Sequence, residues 1–317
     1  MSDGLPSRET CEGADSEETV FRRIRKAITD PALVWYRLRA SLGPEGLHQR
    51  YQRLAHRQGF RRAYFLLSFD CDTDLDIAVA ERVHRQLHDI GITPVYAVPG
   101  ELLKRGATVY RSIADLGAEF INHGYREHTV FDRATDAYVS TVFYDRLTTE
   151  AVAEDIRRGH EAIHDVLGRT PTGFRTPHFG TYAGRRQLEY LHCVLARLGY
   201  RFSTSSEPSL GLRLGPAPKL SFGLRELPVT GCYDRPLRIL DSWGFRFAPG
   251  RQVDRSDYLQ QLGKLARHFT AANRLGLVNI YADPSQVYDW PEFFQGLRPL
   301  AGLAVRSFEQ LLGEIEP

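Results

Sequence analysis

Three aspartates lie within five positions, just after an apolar stretch, in the run SFDCDTD at 68–74. The preceding residues 64–67 read as a strand, and a buried strand has no use for three acids. Crowded carboxylates repel one another unless a cation or a catalytic task holds them together. We therefore interpret Asp70 and Asp72, two residues apart and so on one side of a strand, as site residues. Asp74 better fits a helix N-cap or a solvated turn.

Two later clusters of chemically capable side chains also follow strand-like segments. Residues 116–122 lead into the run HGYREH, which contains His123 and His128. The run GFRTPHFG at 173–180 contains Arg175 and His178. Loops at the carboxyl ends of successive barrel strands build one face, so an acid pair, a histidine pair and an arginine in these positions predict a single site.

In this order the motifs resemble those of the polysaccharide deacetylase family, which is the NodB homology domain or carbohydrate esterase family four. The resemblance covers roughly residues 61–310, and it implies a hydrolase that removes an acyl group from an amino sugar. In the family variant whose first motif is Asp-x-Asp, the first acid is the catalytic base and the second binds metal. The resemblance therefore implies these roles for Asp70 and Asp72, a metal-binding role for His123 and His128, and a match of Arg175 to the arginine motif.

The same residues support this chemistry without the family. Two imidazoles and one carboxylate are a good donor set for a catalytic divalent metal, with zinc as the default, because three protein ligands leave a position open for water or a carbonyl. Asp70 would take the proton from the attacking water. Arg175 would keep Asp70 ionised through a charge-assisted hydrogen bond, or would be a plain salt bridge that joins two barrel loops.

The spacing of the histidine pair departs from the family pattern. The family has three residues between its histidines, whereas four separate His123 from His128. On a regular helix a five-residue step rotates by about 140°, so the two rings could not face one ion. Glu127 stands at the usual spacing. We nevertheless expect His128 to be the ligand, because Gly124 permits an irregular turn and imidazole suits zinc better than a further carboxylate does.

A second departure concerns the proton donor. The family carries a late histidine after a C-terminal strand, and this histidine protonates the leaving amine. The matching strand at 277–282 is followed by Asp283, which could replace the histidine only if burial or a neighbouring carboxylate raised its pKa toward neutrality. His178 is the other candidate. The missing histidine also leaves open a carbohydrate-binding protein without activity.

Predicted substrate contacts come from an aromatic residue and its neighbours. Trp243 and Asp241 lie in the run LDSW, and an aromatic face packs well against a pyranose ring. A core tryptophan beside a capped aspartate explains the same run. Tyr125, Pro177 and Tyr182 are further candidates for contact with substrate.

Length and alternation predict one catalytic domain with an α/β fold. The chain has 317 residues, and a (β/α) barrel needs about 250 of them. Strand-like segments at 63–70, 93–98, 118–122, 200–204, 225–230 and 277–282 alternate with helical segments at 75–90, 109–116, 148–167 and 183–198. We predict a distorted (β/α) TIM-like barrel over residues 61–317, a helical extension at 19–60, and a disordered acidic tail at 1–18.

The N-terminal extension is strongly basic. Between Thr19 and Arg62 the chain has eleven Arg and Lys residues and two acids, Asp30 and Glu45. Because apolar residues are interleaved, residues 19–62 could lie on an anionic membrane surface. A helical hairpin on the barrel with a solvated basic rim is the interpretation that we favour. Nucleic acid is excluded as a partner, because 41 basic residues nearly balance 39 acidic ones and no binding motif is present.

The expected location is the cytoplasm, and attachment to the inner face of the membrane is compatible with it. The N-terminus lacks the apolar core of a secretory signal, no apolar run could span a bilayer, and the four cysteines are scattered. The leading hypothesis is metal-dependent N-deacetylation of an acetamido sugar, nucleotide-linked or lipid-linked, during glycan assembly. The rival is a small-molecule amidohydrolase or deformylase of the same superfamily. The oligomeric state is left undetermined.

Overall fold

A parallel sheet forms the centre of the protein, whose computed structural model describes residues 31–135, 137–243 and 255–316. Among these residues, seven strands pair in parallel in the order β8-β7-β6-β3-β2-β1-β9. They are β1 (Ala63–Asp70), β2 (Val95–Val98), β3 (Phe120–Asn122), β6 (Gly173–Phe174), β7 (Phe202–Ser203), β8 (Arg225–Glu226) and β9 (Gly276–Ala282). A separate antiparallel hairpin consists of β4 (Thr129–Asp132) and β5 (Ala137–Ser140).

The sheet curls into a distorted barrel, which confirms the predicted fold class. Beyond β8, the Thr230 backbone N–H donates to the Asn279 carbonyl of β9 across 2.7 Å. This bond links the β8 and β9 edges of the sheet, between which the described residues form no regular strand pairing. Every residue of β1 and of β9 is buried, as expected for parallel strands that are covered on both faces.

Helices surround the sheet. They are α1 (Pro31–Leu42), α2 (Glu45–Arg57), α3 (Asp74–His88), α4 (Gly100–Arg105), α5 (Ala107–Asp115), α6 (Thr149–Leu167), α7 (Arg185–Arg197), α8 (Pro208–Leu214), α9 (Arg255–Thr270), α10 (Pro284–Val287), α11 (Pro291–Leu297) and α12 (Phe308–Ile315). No helix among the described residues is both long and apolar enough to cross a bilayer.

Alternation along β1 explains how the barrel interior becomes polar. Phe65, Leu67 and Phe69 belong to the apolar cluster that includes residues of α3, whereas Tyr64 and Leu66 belong to a different cluster. Side chains alternate between the faces of a strand, so Asp70 shares the face of Tyr64 and Leu66. This face of β1 is therefore apolar near the start of the strand and carries a carboxylate at its carboxyl end.

The described part of the N-terminal extension is a pair of helices on the barrel. Helix α2 buries Leu47, His48 and Ala55, and the Tyr51 hydroxyl donates to the Leu277 carbonyl across 2.8 Å. This contact fixes α2 to β9. The predicted tail at 1–18 and the first part of the extension, 19–30, lie outside the described residues.

Candidate metal centre and catalytic site

The predicted site residues meet at the carboxyl ends of the barrel strands. Asp70 is the last residue of β1, His123 follows β3, Arg175 follows β6 and Asp283 follows β9. Carboxyl ends of parallel strands share one face of a barrel, and loops on that face supply functional groups. Asp72 lies beyond the end of β1, so the two acids do not share a strand face, contrary to the expectation from their spacing.

One carboxylate and two imidazoles form a tight cluster. One ligand atom each from Asp72, His123 and His128 lies within 4.8 Å of the other two. Asp72 Oδ1 is 3.6 Å from His123 Nε2 and 3.0 Å from His128 Nε2. His123 Nδ1 is 2.8 Å from the Arg175 carbonyl, which only accepts, so this ring donates from Nδ1 and keeps a free lone pair on Nε2.

Hydrogen bonding within the cluster is incomplete, and this fits a cation. Asp72 Oδ1 and both nitrogens of His128 are buried, and apart from the 3.0 Å contact between Asp72 Oδ1 and His128 Nε2 they have no partner among the described residues. Buried polar atoms without a partner call for an explanation. Two imidazoles and a carboxylate that converge in this way suit a divalent ion such as zinc. The donor set therefore fits the metal that the motifs imply.

An irregular turn brings the second histidine to the first. Gly124 has φ of +78°, and a Cβ there would lie 2.5 Å from Asp155 Oδ2. Asp155 accepts hydrogen bonds from the backbone N–H groups of Tyr125 and Arg126 and from the Tyr144 hydroxyl. Both the left-handed backbone and the lack of space require glycine at this position.

Glu127, the alternative ligand, points to a different neighbourhood. Its side chain forms an ion pair with Arg105, and its backbone N–H donates to Glu101. The structure therefore brings His128 into the cluster and leaves Glu127 outside it.

Arg175 holds the candidate base. Its Nη1 donates to Asp70 Oδ1 across 2.6 Å, and Asp70 Oδ2 lies 3.9 Å from His123 Nε2. Burial raises the pKa of Asp70 to about 6, against the opposing effect of the Arg175 charge. The rings of Phe179 and Tyr281 flank the guanidinium at 5.5 and 5.4 Å. Asp70 thus lies beside the cluster of Asp72, His123 and His128, and the buried Arg175 guanidinium orients it.

Protonation of the cluster follows from burial and from the charges within it. Burial lowers the pKa of His123 to about 3, so this imidazole is neutral, as a metal ligand must be. Burial favours a higher pKa for Asp72, but His128 and His123 outweigh it and hold that pKa below its usual value. Asp72 is therefore anionic, as a carboxylate ligand of a metal would be.

Asp283 has the environment of a protonated carboxyl group. Burial raises its pKa well above the usual value, and the negative charges of Asp76, Asp72 and Asp70 add to the effect. The Gln286 side-chain amide donates to Asp283, while the Asp283 backbone N–H donates to the Ser242 hydroxyl. A carboxyl group whose pKa is raised holds its proton to higher pH and so suits the role of a general acid.

His178, the other candidate acid, uses its N–H elsewhere. Its Nε2 is 3.1 Å from the carbonyl of His128, which can only accept. Its ring stacks on Phe143 with centroids 4.6 Å apart, and burial lowers its pKa to about 4. A neutral imidazole whose N–H is already engaged is poorly suited to protonate a leaving amine.

Among the predicted substrate contacts, Asp241 and Pro177 lie beside the arginine motif, whereas Tyr125 and Tyr182 pack against other parts of the protein. Asp241 accepts from the Tyr281 hydroxyl at 2.7 Å, which places it beside the ring that flanks Arg175. Tyr182 is only 6% exposed, within an apolar cluster with Tyr144, and this environment is that of a core residue. The ring of Tyr125 lies 3.7 Å from the guanidinium of Arg158 on α6, in a cation–π contact. Pro177 is buried next to the arginine motif.

A wall of the site that the sequence did not predict is the β4–β5 hairpin. It begins directly after His128, and the Tyr138 ring makes an edge contact with Trp243 at 5.6 Å. The hydroxyls of Tyr138 and Ser285 are 2.8 Å apart. The hairpin therefore connects His128 to the turn that follows Asp283, and Trp243 packs against the hairpin.

Sequence reasoning also missed two anchoring carboxylates: Asp155 on α6, which binds the His123–His128 turn, and Asp76 on α3. Asp76 accepts from the backbone N–H groups of Asp72, Thr73 and Ser285, at 3.0, 2.9 and 2.9 Å. It thereby ties the metal-ligand loop to the Asp283 turn. Thr73 caps α3, and Asp74, predicted as the cap, is instead its first residue, paired with Arg105. Thr73 and Asp76 have the spacing of a capping box, which was a usable signal.

The family model for polysaccharide deacetylase matches residues 58–202. The match covers 145 of the 317 residues and agrees with the resemblance in the motifs; polysaccharide deacetylases are hydrolases that act on amide bonds of acetylated sugars. No curated protein matches the chain.

Solved structures share the fold. A Mycobacterium smegmatis protein described as a polysaccharide deacetylase is 18% identical, with a TM-score of 0.57 over 81% of this chain and 91% of that one. A Pseudomonas aeruginosa protein with the same description is 10% identical, with a TM-score of 0.54 over 79% and 89%. A Puue allantoinase is 11% identical, with a TM-score of 0.55 over 80% and 89%. At such identities the likeness concerns the fold alone.

Proposed function

We propose that this protein is a metal-dependent N-deacetylase that acts on an acetamido sugar during glycan assembly. The observation that carries the proposal is the convergence of Asp72, His123 and His128 beside Asp70, which is held by a buried Arg175. Such a site provides a place for a metal, a base next to it and a group that orients the base.

The metal ligands would be Asp72 Oδ1 and the Nε2 atoms of His123 and His128. A divalent ion at this position, when bound, polarises an amide carbonyl and acidifies water. The Arg175 carbonyl fixes the tautomer of His123, and Asp76 fixes the loop that carries Asp72. These outer contacts orient the ligands before a substrate arrives.

Asp70 would act as the general base. It lies 3.9 Å from a ligand histidine and stays oriented by Arg175, so it can accept a proton from water that attacks the carbonyl. Asp283 would act as the general acid in place of the missing histidine, since burial and the neighbouring carboxylates raise its pKa. When the C–N bond breaks, the leaving nitrogen takes this proton.

The test is turnover by the zinc-loaded full-length protein. The panel contains an acetamido sugar, its oligomers, its nucleotide-linked and lipid-linked forms, and small linear and cyclic amides. We expect acetate release from at least one acetamido sugar, loss of this release in Asp70→Asn, and normal release in the control Asp74→Asn, whose side chain is exposed. Zinc-loaded protein that cleaves nothing in the panel would favour a carbohydrate-binding protein.

A small-molecule amidohydrolase is the second candidate. The fold is similar to that of an allantoinase, and this likeness of fold keeps the candidate beside the deacetylase. Cleavage of the small amides, with every acetamido sugar left intact, would select this candidate over the deacetylase.

A further inference from the structure

Helix α1 exposes large apolar side chains on one face. Val34, Trp35 and Leu38 are 38%, 45% and 60% exposed. Leu38 is three positions from Trp35 and four from Val34, so it shares a face of the helix with both. Tyr36 is buried in a cluster with Leu47, and so anchors α1 to α2. Scattered apolar residues are normal on protein surfaces, but three together on one helix face mark an interaction surface.

Positive charge is concentrated in the same part of the chain. Residues 19–62 contain eleven of the 41 basic residues and two of the 39 acidic ones, so the rest of the chain is net acidic. The Arg39 guanidinium lies over the Trp35 ring at 5.2 Å. Arg53 and Arg57 are exposed on α2, and neither forms an ion pair with another described residue. This charge favours a negatively charged partner.

We propose that α1 and α2 dock the protein on the surface of a bilayer that contains anionic lipid. Trp35 and Leu38 would enter the boundary between headgroups and acyl chains, and Arg39, Arg53 and Arg57 would contact headgroup phosphates. Apolar residues beside arginines are the combination that binds helices in this boundary. Since Tyr51 bonds α2 to β9, the contact would hold the whole barrel at the surface. The inference goes beyond the proposed function and does not depend on it.

Co-sedimentation of the full-length protein with vesicles tests the proposal. We expect binding to phosphatidylcholine vesicles that contain phosphatidylglycerol, little binding to pure phosphatidylcholine, and a decrease in binding as salt screens the charges. Equal binding to both vesicle types, or no binding to either, would overturn the proposal.

Surface variants identify the helix as the contact. Trp35→Ser and Leu38→Ser should each weaken binding to the anionic vesicles about tenfold, because an exposed apolar side chain leaves water in the bound state. Leu116→Ser is the matched control, since Leu116 is 44% exposed outside α1 and α2, and it should bind normally. Arg53→Gln combined with Arg57→Gln should reduce the salt dependence.

Two results for these variants would contradict the assignment. One is normal vesicle binding by both apolar variants. The other is concentration-dependent self-association of the unmodified protein that Leu38→Ser abolishes, which would make a second copy of the chain the occupant of this face. Melting temperatures close to that of the unmodified protein would show that the variants are folded.

Discussion

Arg175 Nη1 donates to Asp70 Oδ1 across 2.6 Å, and the arginine side chain is completely buried. A buried guanidinium needs a carboxylate partner, because water cannot reach either group to solvate its charge. The contact joins β1 to the segment after β6, so it serves both the fold and the candidate base.

Breaking this pair should destabilise the protein strongly. Arg175→Met should lower the free energy of unfolding by about 3 kcal/mol, because it leaves a buried carboxylate without its partner. The double variant with Asp70→Asn should lose less than the sum of the single variants. Urea denaturation measures both effects. Arg105→Met removes the exposed pairs with Asp74 and Glu127 and should cost about 1 kcal/mol or less. If the losses caused by the single changes at Asp70 and Arg175 simply add in the double variant, the two residues are not coupled.

The two acids of the first motif should separate into different roles. Asp70→Asn should retain zinc and lose on the order of 10²–10⁴ in turnover, because an amide cannot accept the proton from water. Asp72→Asn and His123→Ala should lose the metal itself. Metal content and acetate release distinguish these outcomes, with Asp74→Asn as the control. Retention of full metal by Asp72→Asn would remove it from the ligand set.

Positions 127 and 128 can be compared directly. His128→Ala should weaken zinc binding far more than Glu127→Ala, because His128 Nε2 is 3.0 Å from Asp72 Oδ1 while Glu127 pairs with Arg105. Metal titration of both apo variants measures this difference. The reverse ranking would give a site with one histidine and two carboxylates, which is less selective for zinc.

The proton donor can be identified by the choice of leaving group. Asp283→Asn should slow cleavage of an amide much more than cleavage of an activated ester, whose leaving group departs without a proton. His178→Ala should affect the two substrates alike, since its N–H is engaged with a carbonyl. Asp70→Asn should slow both. Amide hydrolysis that survives in Asp283→Asn would exclude this residue as the acid.

Acid should destabilise the protein through a histidine pair far from the site. His48 and His268 have ring centroids 5.1 Å apart, and burial lowers the pKa of both, that of His268 to about 4. Glu45 and Asp234 face the pair and favour protonation of His48, whereas Arg274 opposes it.

Between pH of about 6.5 and 4 these two histidines therefore bind more protons in the unfolded chain than in the folded one, and their contribution lowers the free energy of unfolding as pH falls. His268→Gln should reduce this slope in chemical denaturation, whereas replacement of the exposed His56 should leave it unchanged. An unaltered slope in His268→Gln would mean that other groups cause the acid sensitivity.

Local patterns in the sequence were sufficient for the barrel strands and the order of the motifs. The apolar run at 63–69 predicted β1, and the stretch at 277–282 predicted β9, because buried parallel strands read as continuous apolar segments. The strand predicted at 225–230 is regular only at Arg225–Glu226. Beyond it, Thr230 bonds to Asn279 across the barrel edge, a contact that local sequence does not encode.

The sequence by itself determined which residue types follow which strands, and hence the class of fold and the chemistry of the donor set. Only the tertiary structure decided between Glu127 and His128, because the turn at Gly124 depends on Asp155, thirty-one positions away on α6. It also decided the environment of Asp283, whose raised pKa comes from burial and from carboxylates on α3 and β1. Distances between side chains that are remote in sequence set these properties, and no local pattern contains them.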